Sequence, residues 1–289
     1  MSAGAVGVPT IEPVLPGIEA VVIPDGTSGF FSEDGFSVRA YLVGDRQVVL
    51  VDSGYAERLS IEAVSAAVAG RPVRSILLTH RHPDHGGGAR ALALRFGAPV
   101  LASQEEAATA GADPALEVRP IAAGECVEIE GRRLEVIAAP GHTRGHLVYY
   151  DRVAGVLFTG DTVLGDGSVV VGPPDGDMCA YLETLERLRG LDPLRVLLPG
   201  HGPPVWEARR KIERYLHHRR MREGQVLGLL ERGGATLDEI VRAIYVPVVP
   251  ERFLPLARVS ALGTLEMLVA KGRVEKQGDR YRLCGRAQP

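Results

Sequence analysis

The 289-residue chain has little cysteine, few aromatic residues and almost no net charge. Its three cysteines, Cys126, Cys179 and Cys284, are odd in number, widely scattered and form no Cys-x-x-Cys pair. That argues against both a disulfide framework and a thiolate zinc site, and makes a reducing, cytoplasmic setting the expectation. No apolar run reaches the roughly 18 residues of a membrane span. The opening MSAGAVGVPTIEPVLPG has neither the basic start nor the long apolar stretch of a secretion signal. A soluble protein with a loose N-terminus is expected. A formal net charge of −3 and a pI near 6.3 give the whole chain no attraction for nucleic acid or membrane.

What the chain does have is a repeated pattern. Five apolar, β-rich runs, VVLVDSG (48–54), SILLTHRH (75–82), LEVIAAPGH (134–142), GVLFTGD (155–161) and RVLLPGH (195–201), each deliver a His or Asp just past their apolar part. Such runs read as buried strands feeding functional loops. Between them, residues 57–70, 88–97, 103–111 and 178–190 carry apolar residues at helical spacing with glycine at the end. Strands and helices in this mixture predict a layered α/β or α+β domain. The length suits a domain of about 200 residues with a smaller partner.

The composition changes after PGHGPP, which places a boundary between residues 1–205 and 206–289. Residues 206–232 read as one long helix. A second helix opens on Thr236 and Glu239 at capping-box spacing. A third occupies about 250–271, and Gly278-Asp279 then sits between two short alternating runs, which predicts a hairpin. Helix, helix, helix, hairpin is the order of a winged helix.

The densest chemistry lies in THRHPDHGGG (79–88), where His80, His82, Asp84 and His85 occupy six positions. His142, Asp161 and His201 follow on three other strand-end loops. A lone histidine is most often a satisfied core residue or a solvated surface one. Five histidines and two aspartates on four strand ends point instead to metal, with imidazole nitrogen and carboxylate oxygen as donors for zinc, iron or manganese. Four donors from one loop exceed what a single open catalytic metal needs.

HRHPDH, GHTRGH, the Gly160-Asp161 pair and PGHG at 199–202 resemble, in order and type, the motifs of the metallo-β-lactamase superfamily over roughly residues 15–205. The resemblance implies an αββα sandwich with the site at one sheet edge. It implies two divalent metal ions, zinc first with manganese or iron as alternatives, one on His80, His82 and His142 and the other on Asp84, His85 and His201. Asp161 would bridge both, and Asp52 of LVDSG would support the ligands. Two cations about 3.5–4 Å apart can present hydroxide at pH 7 and offset charge on the developing oxyanion. Asp84 and Asp161 are therefore the catalytic candidates, Asp84 also as a proton shuttle. His146 and Tyr181 are further candidates for the pocket wall.

The forty residues between Asp161 and His201 leave no room for the inserted domain of the RNA-processing subgroup. The C-terminal region also differs from that of glyoxalase II. Through its tail the chain is similar to the β-lactamase-like protein 2 group. That implies either thioester cleavage on a small or carrier-bound acyl substrate, which is preferred, or cleavage of single-stranded RNA. EDGFSVRAYLVG departs from the Thr-Asn-rich turn of that group. The linker segment 209–222, with seven Arg or Lys against one Glu, would suit a phosphate-rich partner or else pack against its own protein. Two further readings are a DNA-binding regulator with a vestigial hydrolase site and an iron-dependent dioxygenase. The mostly apolar third helix and the intact seven-ligand set argue against the first.

Overall fold

The computed structural model describes residues 8–24, 37–110 and 118–285. Residues 1–7, where a loose start is expected, and residues 33–36, the first four of EDGFSVRAYLVG, lie outside the described residues. The chain divides into two compact units, the first formed by Met1–Ala139, Gly145–Gly167 and Leu191–Arg209, the second by Pro140–Arg144, Ser168–Gly190 and Arg210–Pro289.

The first unit holds two sheets. Seven strands lie side by side in chain order: β1 (Thr10–Leu15), β2 (Ile18–Pro24), β3 (Ser37–Val43), β4 (Val48–Val51), β5 (Val73–Leu77), β6 (Val100–Ala102) and β7 (Val118–Pro120). The helices α1 (Arg58–Val68), α2 (Pro83–Gly86), α3 (Ala89–Phe96) and α4 (Gln104–Ala110) fall between them along the chain. The second sheet has β8 (Cys126–Ile129), β9 (Arg132–Ala138), β10 (Leu147–Asp151), β11 (Val156–Gly160) and β12 (Val196–Pro199), in the spatial order β12-β11-β10-β9-β8.

The central strands are apolar on both faces because both faces are covered. On β3, Val38, Ala40 and Leu42 pack with Val64 and Val68 of α1 and Leu92 of α3. Its alternate residues Tyr41 and Val43 pack with Val136, Tyr149, Phe158 and Leu198 of the second sheet. Two sheets face to face, with helices on the outer face of the first, supply the α-β-β layers of the αββα class.

Strand pairing is parallel where the chemistry collects: β4 with β5, β5 with β6, and β11 with β12. Asp52, Thr79 to His85, Asp161 and His201 all follow the carboxyl ends of these strands, where side chains leave the sheet's hydrogen-bond ladder. In the run at 75–82 the strand ends at Leu77, and Leu78 N still donates to Leu101 O at 2.9 Å. The Thr79 N–H turns away and donates to the Asp52 carboxylate at 2.8 Å instead.

The second unit contains α5 (Met178–Arg189), most of α6 (Ala208–Leu230), β13 (Ala235–Thr236), α7 (Leu237–Ile244), α8 (Leu254–Ala270, after a 3-10 turn), β14 (Val274–Gln277) and β15 (Arg280–Leu283). The expected capping box is present: Glu239 N donates to Thr236 Oγ1 at 3.2 Å and Thr236 N to Glu239 Oε2 at 2.8 Å. The hairpin turns at Gly278-Asp279, with Gln277 opposite Arg280 and Gly278 in the left-handed region at φ +63°. By length and composition Glu251–Ala270 is apolar enough to cross a membrane, although Arg258 and Glu266 interrupt its apolar run. Within its unit, however, the helix packs on α5, α7 and β14 and buries Ala261, Leu265, Met267 and Leu268. Because α5 packs on α8, compactness groups residues 168–190 with the winged helix, whereas the sequence drew a single cut at 205/206.

Candidate metal centre

The metal loop is built on backbone contacts before any donor is placed. Pro83 opens α2 and carries Asp84 into its first turn, and His85 N and Gly86 N both close on His82 O, at 2.9 and 2.8 Å. The carbonyl of His85 is held by Ser53 N at 2.7 Å and Ser53 Oγ at 2.6 Å. Arg81, between the first two histidines, donates its N–H and Nη1 to Glu106 Oε2, both at 3.1 Å, and Glu106 is almost wholly buried. Gly88 is required by close approach: a Cβ there would sit 2.4 Å from the Ser53 carbonyl oxygen.

Asp52 lies just beyond β4 in the left-handed region, φ +61°, which aspartate tolerates better than most residues. Its Oδ2 is 2.8 Å from His85 Nδ1, and its carboxylate takes the Thr79 hydroxyl at 2.9 Å. With its own proton given to Asp52, the Thr79 hydroxyl accepts from His80 Nδ1 at 3.0 Å. His201 Nδ1 donates to Ser37 O at 3.1 Å. In each of these three rings Nδ1 faces an outer acceptor, so Nε2 is the nitrogen whose lone pair a cation can take in exchange for a proton.

Those lone pairs converge. His80 Nε2 lies 3.0 Å from His82 Nδ1, and His85 Nε2 lies 3.3 Å from His201 Nε2. Asp84 Oδ2 is 3.1 Å from His201 Nε2 and 3.6 Å from His85 Nε2. Asp161 Oδ1 is 3.3 Å from His85 Nε2, and its Oδ2 is 3.5 Å from His201 Nε2. His80, His85 and Asp161 form one donor group, and Asp84, His85 and His201 another, each with its ligand atoms within 4.8 Å of one another. Imidazole nitrogens and carboxylate oxygens, with tautomers fixed by outer hydrogen bonds, fit divalent cations such as zinc.

The electrostatics have the same sense. Burial by itself lowers the His85 pKa, but Asp161, Asp84 and Asp52 override it and hold this imidazole well above its usual range. Burial likewise opposes, and Asp161 and Asp84 outweigh, at His201, which is pushed up to about 10. Against the burial penalty, His85 and His201 pull the Asp84 carboxyl down to about 2, and His201 and His85 hold Asp161 well below the carboxylate range. A buried cluster that binds protons this firmly is one in which positive charge is stabilised.

His142 lies on Pro140–Arg144, which belongs to the second unit, and is described there. Its Nδ1 donates to Val170 O at 2.7 Å, the same outer-nitrogen arrangement as the other rings. Tyr181, offered by the sequence as a pocket candidate, is fully buried in that unit against Gly141. His146, the other candidate, is buried in the first unit. Its Nε2 accepts from Asp161 N at 3.2 Å, and its ring stacks on His80 at 4.9 Å. It therefore positions Asp161. His217 and His218 stay on α6 and join neither donor group. The sequence reading passed over Thr79, Ser53 and Glu106; only Thr79, directly before the first histidine, had a signal in its place beside the motif.

Comparison with known proteins agrees with this geometry. Residues 34–201 match the model of the metallo-beta-lactamase superfamily, and residues 236–282 that of the beta-lactamase associated winged helix domain. The chain is 31% identical to a beta-lactamase-like protein 2 homolog of Drosophila melanogaster, over 72% of this chain and 73% of that protein. It is 29% identical to an atrochrysone carboxyl ACP thioesterase of Aspergillus chevalieri, over 84% and 77%. The crystal structure of a metallo-beta-lactamase family protein from Thermus thermophilus superposes with a TM-score of 0.77 at 29% identity, covering 94% of this chain and all of the other. The chain belongs to the metallo-beta-lactamase superfamily, as a metallo-hydrolase with a beta-lactamase-associated winged helix.

Proposed function

We propose that this hydrolase works with two divalent cations, zinc first, and cleaves thioesters of carrier-bound or small acyl substrates. His80, His82 and His142 would hold one cation, Asp84, His85 and His201 the other, and Asp161 would serve both. The observation that carries the reading is the pair of donor groups that share His85, with Asp161 in one and Asp84 with His201 in the other. The thioester part is supported by the relative named as an ACP thioesterase.

When bound, such a pair supplies hydroxide at neutral pH and polarises the carbonyl under attack. The chain's own residues set up that chemistry. Asp52 and Thr79 keep the Nε2 lone pairs of His85 and His80 turned inward. His146 fixes the backbone of Asp161. Asp84, whose side chain is more exposed than that of Asp161, is the carboxylate placed to exchange a proton with solvent. A thiolate departs at neutral pH without a strong general acid, so a thioester asks little of the site beyond these groups.

The test is metal analysis followed by a hydrolysis panel of acyl thioesters, lactones and single-stranded RNA, with oxygen uptake monitored. Expected are two metal equivalents, thioester hydrolysis, and a fall of at least about 100-fold in His80→Ala and Asp161→Ala. Full activity in metal-free protein overturns the mechanism. RNA cleavage without thioester cleavage, or oxygen consumption, overturns the substrate class.

A further inference from the structure

We propose that Arg219 is a positioning residue for His142: from α6 it holds both supports of that histidine, the loop segment that receives its ring and the tyrosine that backs its loop. The proposal rests on the reading of His142 as a metal ligand.

The ring of His142 is aimed by its Nδ1, which donates to Val170 O at 2.7 Å. The residue before Val170 is tied down by Arg219, whose Nη2 donates to Val169 O at 2.6 Å. The residue after it, Val171, donates its N–H to Ser260 Oγ of α8 at 3.4 Å. The carbonyl that orients His142 is thus bracketed by contacts from two helices of the C-terminal region. The backbone of His142 has a second support. A Cβ on Gly141 would lie within 2.7 Å of three Tyr181 atoms, so the loop lies flat against that residue. Asp177 N also donates to Gly141 O at 2.8 Å. The guanidinium of Arg219 stacks over the Tyr181 ring, 5.2 Å from its centroid. One side chain therefore touches the holders of both the ring and the backbone.

Arg219 is itself only 7% exposed, and its Nε has no hydrogen-bond partner among the described residues. It forms no salt bridge there either. A buried arginine offset by one carbonyl and one aromatic face is a costly way to pack a helix. It also removes Arg219 from the solvated basic stripe that the sequence suggested for a phosphate-rich partner. The metal chemistry of the hydrolase domain would then depend on a helix that lies outside the superfamily's own match at residues 34–201.

The experiment titrates Zn2+, and separately Co2+, into metal-free wild type, His142→Ala, Arg219→Ala and Arg219→Lys against a competing chelator, with melting temperature as a control. His142→Ala should abolish one of the two equivalents. Arg219→Ala should weaken that same equivalent about tenfold, shift its Co2+ absorption band and leave the other equivalent unchanged. Arg219→Lys, which keeps the charge but not the planar fork, should show a smaller loss, and it replaces the alanine variant if that one does not fold. Wild-type affinity for both equivalents in the Arg219 variants overturns the proposal, as does an equal loss at both sites, the mark of a merely structural residue. Unchanged uptake in His142→Ala overturns the ligand assignment of His142 instead.

Discussion

Asp52→Asn isolates the outer hydrogen bonds from the metal ligands themselves. Asparagine tolerates φ +61°, so the backbone of the turn after β4 is preserved, and its oxygen can still accept from Thr79 N. The new NH2 group, however, faces His85 Nδ1, now 2.8 Å from Oδ2, and the Thr79 hydroxyl at 2.9 Å, both of which donate in the wild type. If a cation keeps Nε2 of His85, the ring proton must remain on Nδ1, donor against donor in a buried site. If the proton moves to Nε2, the lone pair is lost. Both outcomes weaken the site built on Asp84, His85 and His201, by about 10- to 100-fold in affinity, or roughly 1.4–2.7 kcal/mol. Chelator competition measures the affinity, and nitrogen NMR of the His85 ring in the zinc-loaded protein reports the tautomer. Wild-type affinity for both equivalents, together with an Nδ1-protonated His85, would refute the tautomer argument.

Three further outcomes follow from other parts of the structure. Gly200→Ala would put a Cβ 2.3 Å from His85 Cε1 and 2.7 Å from Asp161 Oδ1, so hydrolysis should fall at least about 100-fold with loss of bound metal; retained metal content would contradict the close packing. Thr236→Ala removes the α7 cap and should cost about 1 kcal/mol in urea unfolding without changing metal uptake, and an unchanged midpoint would count against the capping box. His218 is held down at about 4 by burial and by the neighbouring charges of Arg219, Arg222 and His217. The unfolded state therefore takes up its proton first as the pH falls. The stability contribution is present above about pH 6.5 and is lost between 6.5 and 4, on the order of 1 kcal/mol once solvent screening of this half-buried ring is allowed for. His218→Gln should flatten that part of the pH–stability curve, and superimposable curves for the two proteins would refute it.

Much of the fold could be read from local pattern because local physics decides it. The glycine after Arg189, the Thr236–Glu239 spacing and the Gly278-Asp279 turn each fix a boundary within a few residues, and α5, α7 and the last hairpin lie where those signals put them. The end of β5 was not legible. Leu78 continues the apolar run and its N–H still donates to Leu101 O, but at Thr79 the N–H goes to a carboxylate 27 positions away in sequence. The grouping of α5 with the C-terminal helices was hidden for the same reason, since it depends on packing against α8 some 80 residues later in the chain rather than on any local composition.

The candidate site divides along a similar line. Its donors could be read because imidazole and carboxylate side chains are scarce, and finding them at successive strand ends is improbable without a cation to share. The groups that aim those donors are a hydroxyl, a carboxylate and two main-chain carbonyls, at Thr79, Asp52, Ser37 and Val170. Every residue carries a carbonyl, so no residue type at position 37 or 170 could announce the contact, and only the path of the backbone determines it. Asp52 was visible because its acceptor is a side chain. It is also the one of these anchors bearing a full negative charge, which raises the basicity of His85 toward a cation.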